Sequence, residues 1–391
     1  MRNVVITSAV RSPIGTFGGA FKQLLPTDLI VPVMNEAVIR SKLEHDEVDE
    51  VILGHCIQRT DQPNTARTAA LLAGLSEQTT GYTVQRQCAS GMQAVISGAM
   101  QIQTGMSDIV LAGGVEAMSS SPYLLKQHRW GARMQHGQIT DSVWEVLEDP
   151  IHHIMMGETA ENLVDTHHIS RKEQDEVALL SHQRAITAIE NGYFESQIVP
   201  ITVRTRTGDR MISKDEGPRP NLTIEKLTEL KPIFRKNGTV TAGNASSLND
   251  GGVALILMSE EAALNKGLTP LAKITGFSLA GVDPKVMGRG PVPSIKNGLE
   301  KVKWSLEDAD LIEVNEAFAA QYLAVEKELG LNREIVNVNG SGISLGHPIG
   351  CTGARLIVSL IHELKRRELE KGVASLCVGG GMGATVFLEI F

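Results

Sequence analysis

Residues 46–55 read DEVDEVILGH and residues 307–316 read EDADLIEVNE. Each is an acidic turn, an aspartate and then a short apolar strand. Asp49 matches Asp310, an offset of 261. Working outward, VLAGG at 110–114 matches LCVGG at 376–380, an offset of 266. Two strand endings repeated at nearly one offset predict a divergent internal duplication. Such a duplication builds one site between two pseudo-symmetric halves, beyond the carboxyl ends of strands. Strands read at 3–10, 49–57, 82–86 and 107–112 alternate with helical periodicity at 27–42 and 88–104, an α/β pattern. From 120 to 247 the texture changes. Ser120-Ser121-Pro122, Trp130, Trp144, two amphipathic helices (157–167 and 171–190) and a polar stretch at 204–221 read as an inserted, partly irregular unit. GVALILM at 252–258 then restores a strand. The expected division is 1–119 with 248–270 for the first half, 120–247 for the insert and 271–391 for the second half.

Composition excludes several classes. The net charge of −8 argues against nucleic acid or an anionic membrane as the main partner. A hydrophobic content of 42 % excludes a mostly disordered chain. Glycine is abundant (38 of 391) and aromatics are few (4 %), which suits tight turns and close helix–strand packing. Four cysteines, Cys56, Cys88, Cys351 and Cys377, make no disulfide framework and no CxxC pair. The longest apolar runs are too short to span a membrane, and the first residues do not resemble a leader, so a cytoplasmic protein is expected.

Three residues carry the chemistry. Cys88 lies in QCASGM (87–92), between a strand and a helix, where free N–H groups and the helix dipole favour a thiolate. The competing reading is a small buried hydrophobe. His347 lies in GSGISLGHPIG (340–350), a rigid loop that suits a base whose aim matters. It also reads as a structural His in a tight turn. Cys377 lies in LCVGGGMG (376–383), whose glycines free N–H groups for a ligand oxygen, although a packing cysteine fits as well. Gly379-x-Gly381-x-x-Ala384 matches a dinucleotide fingerprint but lacks the following helix and acidic residue, so NAD is rejected. Asn315-Glu316 follows a strand, where ligand-handling groups lie, and Asn315 also reads as a helix cap. Six histidines between 128 and 168 lack metal-ligand spacing, so no metal is expected. ELKRRELEK at 363–371 reads as a solvated helix face.

Six motifs together resemble the thiolase family: CASG at 88–91, TAGNAS at 241–246, GVDPKVMG at 281–288, NEAF at 315–318, GHPIG at 346–350 and CVGGGMG at 377–383. The resemblance runs from residue 3 to the last strand. It implies a layered αβαβα fold of two duplicated halves with an inserted loop domain. It also implies reversible thiolysis of a 3-ketoacyl-CoA, or in reverse a Claisen condensation of two acetyl-CoA. Carried onto this sequence, Cys88 is the nucleophile, His347 accepts its proton, and Cys377 handles the proton of the second substrate. One oxyanion is held by His347 and a water on Asn315, the other by the N–H groups of Cys88 and Gly379. Coenzyme A is substrate and product, with no further cofactor. Its pantetheine arm is expected along Leu147, Met156, Phe234, Ser246, Met287, Ala317 and Phe318, with Arg219 near the phosphate. Homodimers or homotetramers are implied, with a tetramer contact at 120–140.

One departure bears on the substrate. Short-chain members carry His-Met-Gly where this chain has Met155-Met156-Gly157. Pliable Met155 opens the alternative of a longer or branched acyl chain, as in a 3-ketoacyl-CoA thiolase of β-oxidation. Remoter alternatives are a ketoacyl synthase, which lacks the second cysteine, and a non-catalytic scaffold.

Overall fold

The computed structural model describes residues 2–134 and 136–391; Gln135, inside the expected insert, lies outside the described residues. Nine strands build the central architecture: β1 (Val4–Arg11), β2 (Glu50–Gly54), β3 (Thr80–Val84), β4 (Ile109–Ala117), β5 (Asn249–Ser259), β6 (Ala272–Gly281), β7 (Leu311–Val314), β8 (Lys371–Val378) and β9 (Met382–Ile390). Seven helices matter to the site: α1 (Pro26–Arg40), α2 (Ser90–Thr104), α3 (Met156–His167), α4 (Arg171–Glu190), α5 (Pro291–Val302), α6 (Ala319–Leu329) and α7 (Ile349–Arg367).

The strand order is β7-β8-β9-β6-β1-β5-β4-β2-β3. In the first half β2 runs parallel to β3 and β4, while β5 is antiparallel to β4 and β1. The second half repeats this: β7 is parallel to β8, β9 is antiparallel to β8 and β6, and Val336 bridges Ile312 where β3 stands in the first half. The repeat read in the sequence is therefore a repeat of topology. Among the described residues the halves pair edge to edge at Val5–Lys273 and Ile6–Ala272, and the Leu271 N–H donates to Ile6 O at 2.7 Å.

Apart from β3 and β6, the strands are buried on both faces, which explains their continuous apolar runs. In β5, Val253, Leu255 and Leu257 enter the core around α2 and α7. The alternate residues Ala254, Ile256 and Met258 enter a second core under α1. A third core lies under α5 and α6 and takes in Leu163 and Val177 from the insert. The layers are thus helix, strands, central helices, strands, helix. Most glycines serve this packing by having no side chain. A methyl group on Gly91 of α2 would lie 2.9 Å from the Gly350 carbonyl oxygen of α7, so the central helices meet backbone to backbone.

Residues 118–248 leave the sheet between β4 and β5 and carry α3 and α4. Among the described residues no helix is long and apolar enough to cross a membrane. One expectation is corrected. In the charged run at 363–371, Glu363 is buried, because Arg366 and Arg367 both fold onto its carboxylate.

Candidate active site

Cys88 stands on the turn between β3 and α2. Gln87 before it adopts a φ of 45°, a conformation a non-glycine residue holds only when its surroundings demand it. Ser90 supplies that demand: its Oγ accepts from Arg86 N at 2.9 Å and donates to Gln87 O at 2.7 Å. The turn aims the thiol at Gly379. Burial pushes the thiol up to about 11, opposed by the N–H groups of Gly379 and of Cys88 itself, which point at the sulfur. Desolvation thus acts against the thiolate that a helix terminus would favour.

Cys377 closes β8, opposite Gly383 of β9. The glycine run after it is a hairpin turn, with Gly380 and Gly381 at φ of 82° and 81°. The dinucleotide fingerprint is thus a β-turn with no helix behind it. Burial pushes the Cys377 thiol far up, and the neighbouring charge of Cys88 adds to the shift. The sulfurs of the two halves therefore sense one another.

His347 precedes α7. Its N–H donates to Asn249 Oδ1 at 2.9 Å, and its Nδ1 lies 2.7 Å from Thr352 Oγ1. Gly346 before it has a φ of 101°, and a methyl group there would strike the Asn249 amide at 2.4 Å. Burial pushes the imidazole down to about 3, with the Arg355 charge adding. Asn315 follows β7 and donates its backbone N–H to Ser375 at 3.0 Å. Its side-chain Oδ1 and Nδ2, like His347 Nε2, are buried and make no hydrogen bond among the described residues. Buried polar atoms in that condition are costly without function, and here they are ready for a ligand.

The expected pantetheine residues sort into two groups. Cys377, Met287, Ala317 and Phe318 share one apolar cluster, with Met156 and Phe234 packed against it. Phe234 meets Phe318 edge-on at 6.0 Å between ring centres. Leu147 packs with Cys88 in a second cluster with Cys56 and Ile349. Ser246 donates its N–H to Ala317 O at 2.9 Å. Arg219 is exposed, its backbone N–H on His182 Nδ1 at 3.2 Å. Met155 is half-buried and stands at the N-cap of α3. No group of three or more His, Cys, Asp or Glu that could hold a metal ion occurs among the described residues.

Family models described as "Thiolase, N-terminal domain" and "Thiolase, C-terminal domain" match residues 4–261 and 268–390. The chain belongs to the thiolase family. This thiolase is 47 % identical over 390 residues to the beta-ketothiolase of Cupriavidus necator, covering 99 % of both chains. It is 47 % identical to a probable acetyl-CoA acyltransferase of Staphylococcus aureus, covering 97 % of both. Among solved structures it matches the Bacillus anthracis acetyl-CoA acetyltransferase with a TM-score of 0.99 and 71 % identity, covering 100 % of this chain and 99 % of the other. It also matches human mitochondrial 3-ketoacyl-CoA thiolase in complex with CoA at 0.96 and 41 %, covering 100 % and 98 %.

Sequence reasoning missed several residues that hold this thiolase's site. Glu116 is buried and accepts backbone N–H groups from Cys56, Ile57 and Gly350 at 3.1, 3.1 and 2.8 Å, tying the loop after β2 to the start of α7. A lone acid in the apolar strand VLAGGVEA was its signal. Asn249 and Thr352 left no such mark. Cys56 is buried in the apolar cluster against which Cys88 packs, and donates to Gln87 Oε1 at 3.3 Å. Cys351 is wholly buried in the central core.

Proposed function

We propose that this thiolase, an acyl-CoA acyltransferase, catalyses the reversible condensation of two acetyl-CoA to acetoacetyl-CoA and CoA through an acetyl group on Cys88. The observation that carries it is the approach of half-buried Cys88 to Gly379 and buried Cys377 of the opposite half, together with the buried, unpartnered Nε2 of His347 and amide of Asn315. Cys88 gives its proton to His347 Nε2 as the sulfur attacks the thioester. The N–H groups of Cys88 and Gly379 receive the oxyanion, a donor pair whose single members are typically worth about 3 kcal/mol. CoA leaves with the proton of Cys377, which makes Cys377 the thiolate base of the next step, while the His347 imidazolium keeps the Cys88 proton and returns it when condensation releases that sulfur. Cys377 then takes a proton from the methyl of the second acetyl-CoA, and the resulting enolate, held by His347 and a water on Asn315, attacks acetyl-Cys88. In cleavage Cys377 returns that proton, and its raised thiol suits it to carry one.

Coenzyme A would run along Leu147, Met156, Phe234, Ser246, Met287, Ala317 and Phe318, with Arg219 reaching its phosphate. The likeness to the acetyl-CoA acetyltransferase at 71 % identity, against 41 % for the 3-ketoacyl-CoA thiolase, favours the short substrate over the longer one. The second thiol, Cys377, disfavours a ketoacyl synthase. An assembly of two or four copies is supported by the apolar side chains exposed at 123–139, Trp130 at 93 % among them.

Mass spectrometry after mixing with acetyl-CoA tests the scheme. The wild type and Cys377→Ala should gain one acetyl group on Cys88, and Cys88→Ala none. Cys377→Ala should lose condensation on the order of 10³-fold, the usual reach of acid–base catalysis. Full turnover by Cys377→Ala, or acetylation elsewhere in Cys88→Ala, would overturn the division of labour.

A further inference from the structure

The Thr352 hydroxyl sits between two partners. Its oxygen is 2.7 Å from His347 Nδ1 and 2.9 Å from the Pro348 carbonyl oxygen. Thr352 lies in the first turn of α7, four residues past Pro348, where a threonine hydroxyl can donate back to the carbonyl of residue i−4. Both side chains are buried, so water does not compete for the hydroxyl.

A hydroxyl has one proton and two acceptor sites. With its proton on Pro348, Thr352 turns only a lone pair to His347, and Nδ1 must carry the ring hydrogen. Nε2 is then the unprotonated nitrogen, and it is the His347 atom that makes no hydrogen bond among the described residues. We propose that Thr352 is a positioning residue that holds His347 in its Nδ1–H tautomer, leaving the Nε2 lone pair for the Cys88 proton. The proposal rests on the reading of His347 as the base. Asn249 holds the main chain of the same residue, so backbone and ring are each fixed by one side chain.

The step balances. The Cys88 S–H bond breaks, an Nε2–H bond forms, and the sulfur keeps the electron pair for attack. The imidazolium keeps its Nδ1–H on Thr352, a bond that strengthens with the charge. The opposite tautomer would place a hydrogen on Nε2 and leave no lone pair there for the thiol.

Nitrogen NMR of histidine-labelled protein reads the tautomer directly. His347 in the wild type should be the Nδ1–H form, and Thr352→Val, which removes the acceptor at nearly constant volume, should shift it toward Nε2–H. With that shift, kcat and the rate of Cys88 alkylation by iodoacetamide should fall on the order of 10- to 100-fold, with KM little changed. Thr352→Ser should restore the tautomer and most of the rate. An Nε2–H wild type overturns the proposal, as does Thr352→Val with an unchanged tautomer. Should Thr352→Val fail to fold, the wild-type and Thr352→Ser spectra still decide. Alkylation of His347→Ala at the wild-type rate would instead remove the base reading, an outcome the tautomer measurement does not share.

Discussion

Asp49 and Asp310 make the same bonds in the two halves. Asp49 Oδ2 accepts the N–H groups of Asp108 and Ile109 at 2.8 and 2.9 Å, and Asp310 Oδ2 those of Glu370 and Lys371 at 3.0 and 2.8 Å. Their own N–H groups donate to Ile109 O and Lys371 O at 3.0 and 2.9 Å. Each aspartate thus pins the start of the neighbouring parallel strand. Alanine at either position should lower stability by about 1 kcal/mol, since two backbone donors lose a charged acceptor near solvent. The double variant should sum the two losses, the sites being distant. Denaturation midpoints measure this, and a loss confined to one half would contradict the equivalence.

The crossing of the central helices should not tolerate a methyl group. On Gly91 it would meet Gly350 O at 2.9 Å and both Ala354 N and Cys351 O at 3.1 Å, all backbone. Gly91→Ala should cost about 1–3 kcal/mol, the range for overpacking. Activity should fall as well, because the helices that cross there begin beside Cys88 and His347. On Gly281 the nearest atom is 4.0 Å away, so Gly281→Ala should keep the wild-type melting temperature.

Stability should peak near pH 6.5. Burial holds His55, His182, His347 and His362 at about 4, 4, 3 and 4, below the ordinary 6.5. The unfolded chain binds those protons first, so their contribution is complete above pH 6.5 and is lost as pH falls toward 4 and 3. Burial pushes Glu116 and Glu313 up to about 7 and about 8 from 4.5. Their contribution is complete below pH 4.5 and is lost as pH rises to 8. Between 4.5 and 6.5 four histidines outweigh two glutamates. Urea midpoints from pH 4 to 8.5 test the profile; stability still rising at pH 8 would contradict it.

Trp130 is 93 % exposed, with Leu125, Met134 and Ile139 exposed nearby. An apolar patch of this kind marks an interface. On the proposed assembly, Trp130→Asp should lower the mass in light scattering by half while acetylation of Cys88 persists. A wild type that runs as a monomer at micromolar concentration would end the assembly reading.

Much of the fold was legible in the chain, because its signals are local or repeated. The helix read at 171–190 is observed as Arg171–Glu190, opened by a Ser170–Glu173 capping box. The strands at 49–57 and 252–258 fell within a few residues of Glu50–Gly54 and Asn249–Ser259. Small-residue motifs drew attention to Cys88, His347 and Cys377, and a polar pair just past a strand to Asn315. Glu116 was legible only as an oddity in its strand, and the neighbours Gln85 and Gln87 of Cys56 were not legible at all, lying 29 and 31 residues away.

The sequence by itself determined the alternation of strands and helices, the duplication and the residue types of the site, since periodicity and repetition are properties of the chain. Only the tertiary structure decided how far those residues are withdrawn from water. A helix terminus favours a thiolate, yet burial beneath two halves favours the thiol, and burial is a sum over neighbours from the whole chain. Nor could spacing reveal that Asn249, 98 residues before His347, would hold its backbone.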